Sequence, residues 1–202
     1  MNVMWRVVSG AVAIILVLSL VLCESNAFAE GELKGTNLQA YNLASKARDE
    51  ISNNFEQLLK SRNLSLSQLF DTFYIPIPNS YPQKYHTQYD KVLDNTIQNI
   101  LDNYLKKSSH FIYFIISDVN GYVPTHNSKY SQPLTGNKEI DSIKNRTKVI
   151  FNDRTGLAAA KNTAQYLLQE YSRDTGETIY DLSVPIYTRN QHWGCVRVGF
   201  TK

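Results

Sequence analysis

The sequence predicts an α+β domain in which long helices cover one side of a curved antiparallel sheet. Three features predict it. Two long stretches carry apolar residues at helical spacing, residues 111–116 are an unbroken β-branched and aromatic run, and the last third is a series of short apolar segments separated by turn residues. The 202 residues, 43% hydrophobic and 11% aromatic, suffice for one packed domain behind a targeting segment but hardly for two. A net charge of +3 with no basic run speaks against nucleic acid as a partner.

The N-terminus reads as an export signal. Arg6 supplies a short positive region, Val7 to Leu22 is an apolar stretch, and Ala27-Phe28-Ala29 has the small-x-small cleavage pattern. Residues 1–29 are therefore expected to be a signal peptide, with 30–202 as a single domain that is periplasmic or secreted. The alternative is an uncleaved inner-membrane anchor formed by residues 7–22. Cleavage removes Cys23 and leaves Cys195 without an intramolecular disulfide partner.

The first helix is expected over 37–62. Thr36 and Gln39 have capping-box spacing, and Leu43, Ala47, Ile51, Phe55 and Leu58 share one face while Lys46, Asp49 and Glu56 point elsewhere. Such a stripe packs on its own sheet or pairs with a second copy, so a homodimer through 37–62 is an expectation. Ser65 with Gln68 caps one short helical turn, after which Tyr74-Ile75-Pro76-Ile77-Pro78 and Pro82 force extended chain. The second long helix is expected over 84–106, with Val92, Leu93, Ile97, Ile100, Leu101 and Leu105 as its stripe.

Phe111 to Ile116 then predicts a central strand buried on both faces. Asp118-Val119-Asn120-Gly121 has hairpin chemistry, and Tyr122-Val123 is expected to return as its partner strand. Residues 139–151 suggest a helix. Strands are expected at Tyr166 to Tyr171, Ile179 to Tyr187 and His192 to Phe200, with turns around Asp174-Thr175-Gly176 and Arg189-Asn190-Gln191.

Several of these segments resemble one family. Asp118 to Asn127 (DVNGYVPTHN), Asn145 to Ala159 (NRTKVIFNDRTGLAA), Asp181 to Ile186 (DLSVPI), and His192-Trp193-Gly194 with Arg197 and Gly199 are similar to the Cache/PAS-like extracytoplasmic sensor domains of methyl-accepting chemotaxis receptors. Leu69-Phe70-Asp71-Thr72 with Tyr74-Ile75-Pro76 falls at a matching place, so the resemblance runs in order over about 69–200. It implies a five- or six-stranded PAS/Cache-like sheet flanked by the long N-terminal helices. It also implies a small ligand held between the sheet and covering loops, and a role in chemotaxis-type signal transduction without enzymatic activity.

Some relatives carry covalent haem c. This sequence has no Cys-x-x-Cys-His, so no cofactor is expected; non-covalent haem through His126 or His192, a redox sensor, is the alternative, as is a secreted interaction protein reusing the fold. The chain has no second apolar segment and no signalling heptads after the last strand, so a separate membrane transducer is an expected partner.

A ligand pocket needs an apolar wall and a few convergent polar groups. Tyr113, Tyr122 and Trp193 are candidate walls. Arg146, Arg154 and Arg173 are candidate clamps for a carboxylate, Thr125, His126 and Asn127 offer donors and acceptors, and Asp181 is a candidate acceptor for a ligand amine. The opposing reading is that Arg154, Asp153 and Asp181 are caps and internal ion pairs. The expected ligand is a small anionic molecule. Asp174-Thr175-Gly176 spells an aspartic-protease triplet without a second copy, and the histidines at 86, 110, 126 and 192 lack metal-ligand spacing.

Overall fold

A computed structural model describes residues 33–172 and 177–202. The expected signal peptide, the Asp174-Thr175-Gly176 turn and Arg173 lie outside the described residues. Among the described residues no helix is long and apolar enough to cross a membrane.

Helix α1 (Gly35–Lys60) buries Ala40, Ala44, Ala47, Ile51, Phe55 and Leu58. These recur every three or four residues, which places them on one face; each large apolar side chain so buried contributes about 1.5–3 kcal/mol. The small alanines let the first half of the helix lie close to the sheet. The expected Thr36 capping box does not form: the N-cap is Lys34, with no side-chain cap bond. The one at Ser65 does, with Gln68 N–H donating to Ser65 Oγ and Ser65 N–H to Gln68 Oε1, and it opens the single-turn helix α2 (Leu66–Leu69).

The second long helix is shorter than its apolar stripe. Its first residues instead form strand β2 (Lys84–His86), paired antiparallel with β1 (Ile75–Ile77), and helix α3 spans Asp90–Leu105. Two tertiary bonds draw 84–86 out of the helix: Tyr85 N–H donates to Lys148 O, and Lys84 Nζ reaches three acceptors on 145–147. Leu93, Ile97 and Leu101 of α3 join the same core as α1.

The main sheet has four antiparallel strands in the order β3-β8-β7-β6, formed by β3 (Phe111–Asp118), β6 (Leu167–Ser172), β7 (Thr178–Thr188) and β8 (Gln191–Phe200). The β3 run is thus an edge strand and not a central one. It reads as doubly buried because both of its faces are covered, and Asn127 Oδ1 takes the Phe114 N–H on its free edge. Nor does β4 (Tyr122–Val123) return along β3; it pairs with β5 (Val149–Ile150) in a small separate sheet. The turn between β3 and β4 forms as its residues suggest, with Gly121 at φ 82 and Asp118 accepting from the Asn120 and Tyr122 N–H groups. Tyr74 and Tyr89 hydroxyls donate to the same buried carboxylate, tying the residue before β1 and the N-cap of α3 to the end of β3.

Expected helix 139–151 is only α4 (Lys138–Lys144). It stops because its continuation is recruited elsewhere: Lys84 takes the Asn145 and Thr147 carbonyls, Arg146 N–H donates to Tyr130 O, and Lys148 adopts φ 60. Helix α5 (Arg154–Lys161) was not anticipated; Asp153 caps it by accepting the Gly156 N–H. The β7–β8 connection is a two-residue turn with Arg189 and Asn190 both at positive φ, which matches the twist of an antiparallel pair.

Pairing registers separate the two faces of the sheet. Phe114, Ile116, Leu182, Val184, Val196 and Val198 face the α1/α3 layer and belong to the hydrophobic core. On the other face stand Tyr113, Ile115, Asp181, Ser183, Arg197 and Gly199. The long N-terminal helices on one side of an antiparallel sheet are the α+β architecture expected, with four strands in the main sheet in place of five or six.

Candidate functional site

The face of the sheet turned away from α1 borders a cavity of about 650 Å³. Its floor comes from the sheet: Ile112, Tyr113 and Ile115 of β3, Tyr171 of β6 and Arg197 of β8. Its cover comes from the chain between β4 and the first turn of α5: His126, Tyr130, Arg146, Phe151, Asp153 and Thr155.

Arg197 is the charged residue of an otherwise apolar strand and is only 6% exposed. A buried guanidinium is unfavourable alone, and Asp181, 0% exposed, compensates it: Nη2 donates to Oδ2 at 2.9 Å and Nε at 3.1 Å. Burial works against the charge on Arg197, and Asp181 outweighs it, holding the guanidinium above its ordinary pKa range. The hydroxyl of Tyr113 also donates to Asp181 Oδ2; burial first and Asp181 second push that phenol well above its usual pKa. Asp181 uses two of the five guanidinium N–H groups of Arg197, which leaves donors for the cavity.

The cover is positioned from behind. Lys84, 3% exposed, donates from Nζ to Asn145 O, Asn145 Oδ1 and Thr147 O at 2.8–2.9 Å, so its ammonium grips the carbonyls on both sides of Arg146. Burial, with Lys148 nearby, lowers its pKa to about 8. Arg146 itself is exposed, and its guanidinium carbon lies 5.3 Å from the ring centroid of Phe151.

His126 is 3% exposed, and its ring meets Tyr130 edge-on at 5.0 Å. Its Nδ1 accepts the Asn127 N–H at 2.8 Å, so in the neutral ring the proton resides on Nε2. Burial, and after it Arg146, Lys129 and Arg197, lowers its pKa to about 3.

Of the residues singled out in the sequence, Tyr113, His126 and Arg146 line the cavity together. Asp181 lies directly behind its floor, occupied by Arg197 and Tyr113, and so is not open to a ligand amine. Tyr122 and Trp193 are core residues instead of pocket walls: Tyr122 packs on Tyr74 and Tyr89, and Trp193 on Phe55 and Tyr89 with its Nε1 donating to Leu69 O. Asn127 holds the β3 edge and donates to Asp102 Oδ1. Thr125 is buried with no hydrogen-bond partner for Oγ1, and Arg154 is exposed at the first position of α5; neither is in the cavity lining. His192 sits beside Tyr187 at the β7–β8 turn, also outside the lining.

Missing from the sequence reading were Arg197 as a lining residue, and Tyr130, Phe151, Thr155 and Tyr171. Alternation along Cys195, Arg197 and Gly199 was the signal available for Arg197. Tyr130 and Phe151 carried none, because only the fold of the cover brings them together.

No family model and no curated protein matches the chain. Solved structures similar to it include three receptor domains. One is an extracellular ligand binding receptor from Desulfohalobium retbaense, 15% identical, covering 81% of this chain and 25% of that one, with a TM-score of 0.38. Another is the sensory domain of the Campylobacter jejuni chemoreceptor Tlp3, 13% identical over 81% of this chain and 59% of that one, TM-score 0.38. The third is the ligand binding domain of the Pseudomonas aeruginosa amino acid chemoreceptor PctC in complex with GABA, 16% identical over 82% of this chain and 61% of that one, TM-score 0.30. The chain spans between a quarter and about three-fifths of the length of these structures. The functional reading rests on the cavity.

Proposed function

We propose that this chain is an exported sensory domain that binds a small anionic metabolite and performs no chemistry on it. One observation carries the reading: a cavity of about 650 Å³ in which aromatic walls surround the guanidinium groups of Arg146 and Arg197. That is the composition of a binding site, with apolar and aromatic walls around convergent polar groups. The nearest thiol, Cys195, is fully buried and outside the cavity lining, with its pKa pushed up to about 12 by burial, so it offers no nucleophile. Haem is not part of this reading, because His126 presents an N–H at Nε2 and not a lone pair, and His192 lies outside the cavity lining.

A ligand in the cavity bridges two parts of the molecule, the sheet through Tyr113 and Arg197 and the cover through Arg146 and Tyr130. Strand β8 connects that event to the far face, since Arg197 alternates with Val196 and Val198 in the α1/α3 core. Ligand shifts α1 only by the difference in its affinity for the two arrangements. Because the buried stripe of α1 is spent on its own sheet, a homodimer through 37–62 uses the polar outer face of that helix. Signal output through a separate membrane transducer, from a periplasmic location, completes the proposal.

Native mass spectrometry of protein purified from the periplasm, followed by a thermal-shift screen of carboxylates, tests it. A retained small anion or a concentration-dependent rise in Tm supports the reading. No stabilisation across the panel, with turnover of any of its members, rejects it.

A further inference from the structure

We infer that the cavity selects an aromatic carboxylate that carries no ammonium group. The inference rests on the ligand-binding reading above and narrows it by what the cavity supplies and what it withholds.

It supplies anion partners at two depths. Arg197 is at the floor with donors beyond those used by Asp181, and Arg146 is at the cover. Among the described residues no carboxylate lies within ion-pair distance of Arg146; its partner is the Phe151 ring face. His126 adds a neutral Nε2–H donor. The remaining walls are flat or apolar, with Tyr113, Tyr130 and Tyr171 beside Ile112 and Ile115. Aromatic rings stack on such walls at little entropic cost.

It withholds a buried seat for a cation. Asp181 is fully buried, with Arg197 and the Tyr113 hydroxyl on its oxygens. A ligand ammonium that took Asp181 would leave Arg197 as an uncompensated buried charge. Asp153 does line the cavity, but its Oδ1 caps α5 by accepting the Gly156 N–H, at the end of the helix where the backbone dipole already balances its charge. An α-amino group therefore finds in the lining only the exposed carboxylate of Asp153, which already serves α5, and a solvent-screened pair of that kind does not offset the desolvation of the ammonium.

Matched probes of one skeleton separate these terms: 3-phenylpropionate, L-phenylalanine and 2-phenylethylamine, with succinate as a non-aromatic dianion, each titrated calorimetrically into the purified chain. The expected order places 3-phenylpropionate tightest, with L-phenylalanine at least about tenfold weaker and 2-phenylethylamine not binding. Arg146→Gln is expected to weaken 3-phenylpropionate by roughly tenfold or more while leaving Tm unchanged, because the side chain is exposed. Equal or tighter binding of L-phenylalanine, or binding of succinate but not of 3-phenylpropionate, overturns the inference and leaves a ligand-binding domain standing. Absence of binding by every probe and by the wider carboxylate panel removes both readings.

Discussion

Tyr113 and Gly199 are cross-strand partners between β3 and β8, and the tyrosine ring lies over the glycine where a side chain would otherwise stand. A Cβ at 199 would fall inside the van der Waals envelope of that ring. The ring cannot swing aside cheaply, because its hydroxyl is fixed on Asp181. Gly199→Ala is therefore expected to cost about 1–3 kcal/mol, as overpacking does, and to weaken ligand binding by displacing a cavity wall. Urea unfolding measures the first effect and titration the second; a variant with wild-type values for both contradicts the assignment of Tyr113 as a fixed wall.

Removing one member of the buried ion pair leaves the other uncompensated. Asp181→Asn is expected to destabilise the domain by about 3–5 kcal/mol. The double replacement Asp181→Leu with Arg197→Met is expected to cost less than the sum of the two single changes, since no charge is then stranded. Denaturant midpoints of wild type, Asp181→Leu, Arg197→Met and the double replacement close the cycle, and strict additivity would show that the pair is not coupled.

His126 makes stability fall in acid. Its folded pKa is about 3, against an ordinary value of 6.5, so between these values the unfolded chain binds more protons than the fold. The contribution is complete above pH 6.5 and is lost as pH falls from there toward about 3. Comparing urea midpoints of wild type and His126→Gln from about pH 7.5 down to about pH 4.5 isolates it, and the variant is expected to lose less stability over that range. Curves of the same steepness would mean that the ring is not buried as a neutral group.

Lys84 links fold and site. Lys84→Met leaves the Asn145 carbonyl, the Asn145 Oδ1 and the Thr147 carbonyl without their donor, at a cost of about 1–3 kcal/mol. Arg146 lies between those carbonyls, so binding of the best carboxylate from the panel is expected to weaken as well. Loss of stability with undiminished affinity would show that Arg146 is held by the Tyr130 carbonyl alone.

Elements defined by local pattern were legible in the chain. The periodicities of α1 and α3, the capping box at Ser65, the two-residue turn at Arg189-Asn190 and the strands β6, β7 and β8 all follow from residue type and spacing, to within a few residues. Segments claimed by distant partners were not. Residues 84–86 and 145–148 carry helical patterns, yet each is drawn out of the helix by hydrogen bonds to the other, the first into a strand and the second into a turn. β3 looked central because both its faces are covered, and hydrophobicity reports covering and not which edge is paired.

The candidate site divides in the same way. An apolar strand interrupted by Arg197, and a cover segment containing His126 and Arg146, are properties of the sequence, and so is the alternation that sends Tyr113 and Phe114 to opposite faces of β3. The tertiary structure alone decided that Asp181 pairs with Arg197 and Tyr113, that Trp193 and Tyr122 belong to the core, and that Tyr130 and Phe151 line one cavity with the sheet. Burial is the reason. A charge or an aromatic ring has several acceptable partners while it is local and solvated, and only the packed fold removes water from all but one of them.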